Sequence, residues 1–167
     1  MLVVAATERE LGGRPGFVCG IGPVEAAAST ARLLATSDVG AVLHVGIAGS
    51  RELEPLTVVL GSESVYSDLR LAIPVVDRIA PDPALLGRLH DALPAAVVAP
   101  IGTSAAVGGG ACDVEAMEGF GVLRACALAG VPAVELRVVS NSPDEPDRAK
   151  WRFDDAFALL GDVISRL

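Results

Sequence analysis

Aromatic side chains are scarce in this chain: one Trp, one Tyr and four Phe make up 4% of its 167 residues. Its core must be built from Ala, Val, Leu and Ile, a usage that suits buried parallel strands covered by helices. Basic charge is also short. Lys and Arg number 13 against 21 Asp and Glu, a net charge of −8 with no basic stretch to offset it. An acidic surface repels phosphate backbones, so nucleic acid is excluded as a partner and nothing holds the chain to a membrane surface. Paired cysteines are missing too. Cys19, Cys112 and Cys126 stand singly without CxxC spacing, and His44 and His90 lie far apart, so no metal signature is present. An odd number of thiols in apolar or small-residue surroundings fits a reducing cytoplasm. The opening MLVVAATERE has no basic n-region and too short an apolar run for a signal peptide, and no segment reaches membrane-span length. A soluble cytoplasmic protein is expected.

What is present is alternation. At 167 residues the chain has the size of one domain with a substantial core. Residues 1–6 read as a buried first strand ending at Thr7-Glu8-Arg9-Glu10, and 11–16 as a turn rich in Gly and Pro. Phe17 to Gly20 reads as a second strand, leading through a tight turn into a helix with Pro23 in its first turn. Gly40 to Val45 is a third strand, followed by a glycine-bearing turn over Gly46 to Ser50. A strand over 56–65, an irregular stretch from Ser67 to Arg78, a helix from Pro81 to Leu93 and a strand from Ala96 to Ile101 come next. The loop GTSAAVGGG leads to an apolar helix that opens at Met117-Glu118 and breaks at Gly130. A β-branched strand from Val131 to Val139 then ends in Ser140-Asn141. A last helix is expected over Asp147 to Leu167, with Trp151, Phe157, Leu160 and Ile164 on its apolar side. The predicted fold is a single α/β domain over 1–167, with a mixed, mainly parallel twisted sheet flanked by helices.

Several polar residues sit where such a sheet binds ligands, at the carboxyl ends of strands. Gly20-Ile21-Gly22-Pro23 suggests a dinucleotide loop, but the third glycine position of that fingerprint holds Glu25, which would repel a pyrophosphate. It reads as a tight strand–helix turn. Glu8 and Glu10 follow the first strand. Such carboxylates are usually solvated, yet Glu10 could activate water if that strand is central. The small residues from Gly46 to Ser50 could let a ligand approach the backbone closely, with an ordinary turn as the equal alternative. A Glu at position 118 is favoured by the helix dipole alone, while its two oxygens also suit a vicinal diol, with Met117 as a soft apolar surface beside the sugar. Asn141 fits a turn, and its carboxamide also matches the N7 and O6 edge of a purine. His44 and Cys112 read as packing residues. Arg137, on an otherwise apolar strand, calls for a buried partner that the sequence does not identify.

Taken together, MLVVAATERE, HVGIAGS, VEAMEG and VPAVELRVVSN resemble the nucleoside phosphorylase and nucleosidase superfamily. Within it, VEAMEGFGVLRA followed by RVVSN is most similar to the futalosine hydrolases of menaquinone biosynthesis. The resemblance implies a small-molecule nucleoside as substrate, no metal or organic cofactor, and a homo-oligomer, a dimer or higher. It implies Glu10 and Asn141 as catalytic residues, Met117 and Glu118 as ribose-binding, and Ile47, Ala48 and Gly49 as lining the substrate. Adenine-releasing nucleosidases of the superfamily have Asp where this chain has Asn141. An Asp can hand a proton to N7 of a leaving adenine, whereas an Asn can only donate a hydrogen bond, which suits hypoxanthine. Phosphate-contacting Arg and Ser of the hexameric phosphorylases correspond to His44 and Ile47, which favours water over phosphate as nucleophile. The implied reaction is hydrolysis of futalosine to release hypoxanthine. The alternatives are adenine release from methylthioadenosine, S-adenosylhomocysteine or aminodeoxyfutalosine, and a nucleoside-binding protein without turnover. Shortening near 104–113 implies a base-side wall rebuilt locally or completed by a partner subunit.

Overall fold

The computed structural model describes residues 1–167. Its strands are β1 (Leu2–Ala5), β2 (Phe17–Val18), β3 (Val42–Ser50), β4 (Val58–Tyr66), β5 (Arg78–Ile79), β6 (Val97–Thr103), β7 (Val114–Ala116) and β8 (Ala133–Asn141). The helices are α1 (Glu8–Leu11), α2 (Pro23–Thr36), α3 (Pro83–Ala92), α4 (Gly119–Ala129) and α5 (Phe153–Ile164). All eight strands join one sheet in the order β2-β1-β3-β7-β6-β4-β5, and β8 pairs with both β3 and β4. The sheet is mixed and mainly parallel, as the alternation predicts: β3–β7, β4–β5 and β4–β8 are antiparallel, and the other five pairings are parallel. Because β8 bridges β3 and β4, the strands β3-β8-β4-β6-β7 return to β3 and close a barrel-like ring. The crevice is thus a rim at one end of that ring, not the edge of an open sheet.

Two apolar layers sandwich this sheet. On one side Leu85 and Leu89 of α3 and Ala156, Leu160 and Val163 of α5 pack on Leu43, Val45, Val134, Leu136 and Val138. On the other, Ala26 of α2 and Val122, Leu123 and Cys126 of α4 pack on Val4, Val42 and Ala133. Alternation along β8 therefore sends Val134, Leu136 and Val138 to the first layer. It leaves the odd positions Glu135 and Arg137, both 0% exposed, on the α4 side. None of the helices is long and apolar enough to cross a bilayer.

Four expectations need correction. Gly46 to Ser50 is not a turn but the second half of β3, because Gly46 to Ala48 pair with Arg137 to Val139 of β8 and Gly49 and Ser50 with β7. A register shift between Ala48 and Gly49 marks a bulge, which brings Gly49 opposite Asn141. Of the two carboxylates after β1, Glu8 is solvated but Glu10 is not: Thr7 caps a four-residue helix in a capping box with Glu10. Glu118 lies just before α4 as its N-cap residue, and the three-residue strand β7 precedes it. The last helix is broken. Asp147 caps a 3-10 turn over Arg148–Lys150, Trp151 Nε1 donates to the Glu145 carbonyl, and Arg152 N–H donates to Ser140 O before α5 begins.

Gly121 shows how closely α2 and α4 approach, since a Cβ there would lie 2.5 Å from Pro23 O and 3.2 Å from Ala27 N. Gly121→Ala is expected to destabilise the fold by about 1–3 kcal/mol through overpacking, measured by denaturant unfolding.

Candidate active site

The site is assembled at the carboxyl ends of β1, β3 and β8. Parallel pairing of β1 with β3 sets Ala5 beside Val45, so the turn after β1 reaches the outer half of β3. There the Thr7 capping box fixes the Glu10 carboxylate. Oε2 accepts from Thr7 N–H and Oγ1, both at 3.0 Å, and Oε1 accepts from Ile47 N–H at 3.3 Å. Glu10 is buried while Glu8 and Arg9 face solvent, where Arg9 pairs with Asp154 and lies over the Phe157 ring. Gly46 is required at its position, because a Cβ would fall 2.7 Å from Glu10 Oε1 and overlap the Arg137 guanidinium.

Glu118 enters from the opposite wall. Its Oε1 accepts from Gly22 N–H at 3.1 Å, so the glycine turn before α2 supplies an amide and not a phosphate cradle. Its Oε2 stands 3.5 Å from Arg137 Nη2. Burial raises the Glu118 carboxyl above its ordinary value against the opposing pull of Arg137. Two of its four lone-pair positions remain for a ligand.

Arg137 has the buried partners its strand position demanded. Nε donates to Glu135 Oε1 at 2.8 Å and Nη2 to His44 Nε2 at 2.6 Å. His44 Nδ1 faces Val4 O at 3.0 Å, so the imidazole is neutral with its proton on Nδ1 and its Nε2 lone pair toward Arg137. Burial and the guanidinium hold its pKa well below 6.5. His44 is thus part of a polar network, not the packing residue expected. Cys19, close to Glu118, is pushed up to about 12 chiefly by burial and stays a thiol.

Asn141 closes the third side. Ser140 Oγ lies 2.8 Å from Asn141 Oδ1 and 3.2 Å from Ala48 O. With Oδ1 accepting from the hydroxyl, the Nδ2 group is the free donor, 3.4 Å from the Cβ position of Gly49.

All seven residues singled out from sequence line one cleft of about 250 Å³: Glu10, Ile47, Ala48, Gly49, Met117, Glu118 and Asn141. Sequence reasoning missed the aromatic wall of Trp151, Phe153 and Phe157, which it assigned to helix packing or left out. Ring spacings of 5.4 and 6.4 Å join these three. It also missed Glu115, whose carboxylate accepts from the amides of Gly108 and Gly110 and so pins the loop that carries Ala106 and Val107 over the cleft. The cleft wall holds three carboxylates and neither Lys nor Arg.

The family model described as Phosphorylase superfamily matches residues 9–109, more than half of the chain. The chain belongs to that superfamily. Among curated relatives, the futalosine hydrolase of Thermus thermophilus is 31% identical over 182 aligned residues, 91% of this chain and 81% of that protein. The futalosine hydrolase of Streptomyces coelicolor is 55% identical over 53 residues, 32% of this chain and 23% of that protein. In fold, the chain is similar to the 5′-methylthioadenosine/S-adenosylhomocysteine nucleosidase of Neisseria meningitidis in complex with methylthio-immucillin-A. The TM-score is 0.83 at 22% identity, covering 99% of this chain and 96% of the other.

The neutral imidazole ties stability to pH. Unfolded His44 takes up a proton near 6.5 and the folded ring does not, so its contribution is present above that pH and is lost as pH falls toward the depressed folded value. The wild-type melting temperature should fall on acidification from pH 7 to 5, and a His44→Gln variant should show a flatter dependence by calorimetry.

Proposed function

We propose that this chain hydrolyses the N-glycosidic bond of futalosine to release hypoxanthine, acting in the cytoplasm as a homo-oligomer. The observation that carries the hydrolytic reading is the cleft wall, with three carboxylates and no cation. Such a wall repels inorganic phosphate and favours positive charge developing on a sugar ring. Arg137 cannot serve phosphate instead, because Glu135, Glu118 and His44 already surround it.

In the proposed reaction the C1′–N9 bond breaks and its electron pair leaves with the base. Glu118 accepts hydrogen bonds from the ribose hydroxyls. Glu10, with Oε2 held by Thr7, takes a proton from the water whose oxygen bonds to C1′. Asn141 Nδ2–H donates to N7 or O6 of the departing 6-oxopurine. An amide cannot protonate N7, so the proton that neutralises the base comes from solvent. Met117, Ile47, Ala48 and Gly49 pack along the sugar, and the aromatic wall receives flat apolar parts of the substrate. The futalosine hydrolase relatives support this substrate over an adenine nucleoside. The exposed Leu71, Ile73 and Val76, close together in one loop, support association between copies.

Purified protein incubated with futalosine in phosphate-free buffer should release hypoxanthine, followed by chromatography. Absence of release from folded protein would defeat the substrate assignment. Glu10→Gln should lower kcat by about 10²–10⁴-fold, the usual span for a general base. Removing the single donor in Asn141→Ala should cost about 10²–10³-fold. Asn141→Asp should shift preference toward adenine release when matched adenine and hypoxanthine nucleosides compete.

A further inference from the structure

Glu135 lines no part of the cleft, yet it is 0% exposed and bears a charge in the middle of β8. Its Oε1 accepts from Arg137 Nε at 2.8 Å and its Oε2 from Ser64 Oγ of β4 at 2.7 Å. The carboxylate fits only because residue 119 is glycine: a Cβ at Gly119 would overlap both of its oxygens. Burying a carboxylate is costly unless it is paired, so its presence beside an arginine that already has Glu118 nearby calls for a reason.

The charges around Arg137 supply one. Three carboxylates face a single guanidinium: Glu135 from its own strand, Glu118 from the start of α4 and Glu10 from α1. The other neighbours carry no charge, since His44 on β3 is a neutral acceptor and Cys19 near Glu118 is a thiol. With Nε bound to Glu135, Arg137 presents only its terminal nitrogens toward Glu118, His44 and the Ile47 carbonyl. Its charge is shared, so it cannot fully neutralise the two carboxylates at the cleft.

We propose that Glu135 is a positioning residue, housed in the space left by Gly119, that aims Arg137 through Nε and takes up part of its charge. It thereby keeps Glu118 basic enough to accept hydrogen bonds from sugar hydroxyls. The proposal rests on the hydrolytic reading for its consequence in turnover and on the geometry alone for its effect on Glu118. Coulombic influence follows the same sign: Arg137 lowers the Glu118 carboxyl and Glu135 raises it.

Two measurements on Glu135→Gln decide it. Glutamine has the same shape and can still meet Arg137 Nε and Ser64, so the fold is expected to persist. In carboxyl-labelled protein, with the Glu118 signal identified through Glu118→Gln, Glu118 should titrate at lower pH in the variant than in wild type. The acid limb of kcat/KM for futalosine should move to lower pH with it, whereas a residue that only filled space would lower kcat/KM without moving the limb. An unchanged or higher Glu118 titration overturns the proposal, whether or not futalosine is turned over. If wild type releases no hypoxanthine, the hydrolytic reading falls, and the titration still decides the role of Glu135. The packing claim has its own check: Gly119→Ala should lower the melting temperature in wild type and have little effect in a Glu135→Ala background. Equal losses in both backgrounds would show that the two residues do not compete for the same space.

Discussion

The buried guanidinium of Arg137 is the charge on which the site depends. A cation placed at 0% exposure inside an aliphatic sheet is unsustainable alone, and its partners are what the sheet brings together. Parallel pairing places β3 beside β8, which sets His44 opposite Glu135 and Gly46 opposite Arg137. Parallel pairing of β1 with β3 brings the end of β1, and so Glu10, to the level of Gly46. Glu118 arrives from the ring's other side through β7. Removing Arg137 itself would leave the buried Glu135 and Glu118 carboxylates uncompensated, a loss typically worth about 3–5 kcal/mol in stability. Every fully buried side-chain oxygen or nitrogen of the network has a hydrogen-bond partner, since Thr30 Oγ1 alone among such atoms has none.

Neutral histidine is what makes this arrangement possible beside a permanent cation. A protonated imidazole at 44 would face Arg137 at 2.6 Å as a second positive charge. With its proton on Nδ1 and directed at the Val4 carbonyl, the ring offers only a lone pair. His44 braces the arginine two strand positions beyond its β8 neighbour.

Much of the fold was legible because it is written in local periodicity. Aliphatic runs of strand length alternated with Ala- and Leu-rich helical stretches bounded by Pro23, Gly130 and the Gly-Pro turn at 12–16, and these correspond within a few residues to β1, β2, β4, β6 and β8 and to the first half of β3, whereas β5 and β7 were not foreseen. The errors fell where tertiary pairing overrode local chemistry. Gly46-Ile47-Ala48-Gly49 looks like a turn in isolation and becomes strand because β8 and β7 satisfy its backbone. Val114 to Ala116 is too short to announce itself as a strand. Among the site residues, those carrying a familiar motif were found, whereas Trp151 and Phe153 were not, since the break after Lys150 depends on contacts to Glu145 and Ser140. One signal was overlooked. In Val134-Glu135-Leu136-Arg137-Val138 two charges share one face of an otherwise apolar strand, and period-2 alternation alone predicts that they point the same way and need each other.

That overlooked alternation bears on why a hydrolase interior should hold three acids around one base. Transition-state stabilisation in a desolvated site requires charges whose positions are fixed before substrate arrives, because reorganising them during reaction would consume the gain. A single Glu–Arg pair would be rigid but electrically quiet, with the carboxylate's capacity to accept already used. Adding Glu135 behind the arginine keeps the rigidity and restores negative potential at the cleft, where an oxocarbenium-like sugar would form. Aliphatic packing on both sides of the sheet supplies the stability against which this excess of buried negative charge is maintained. Three of the six aromatics, Trp151, Phe153 and Phe157, stand in the cleft wall, while the bulk of the core is built from Ala, Val, Leu and Ile.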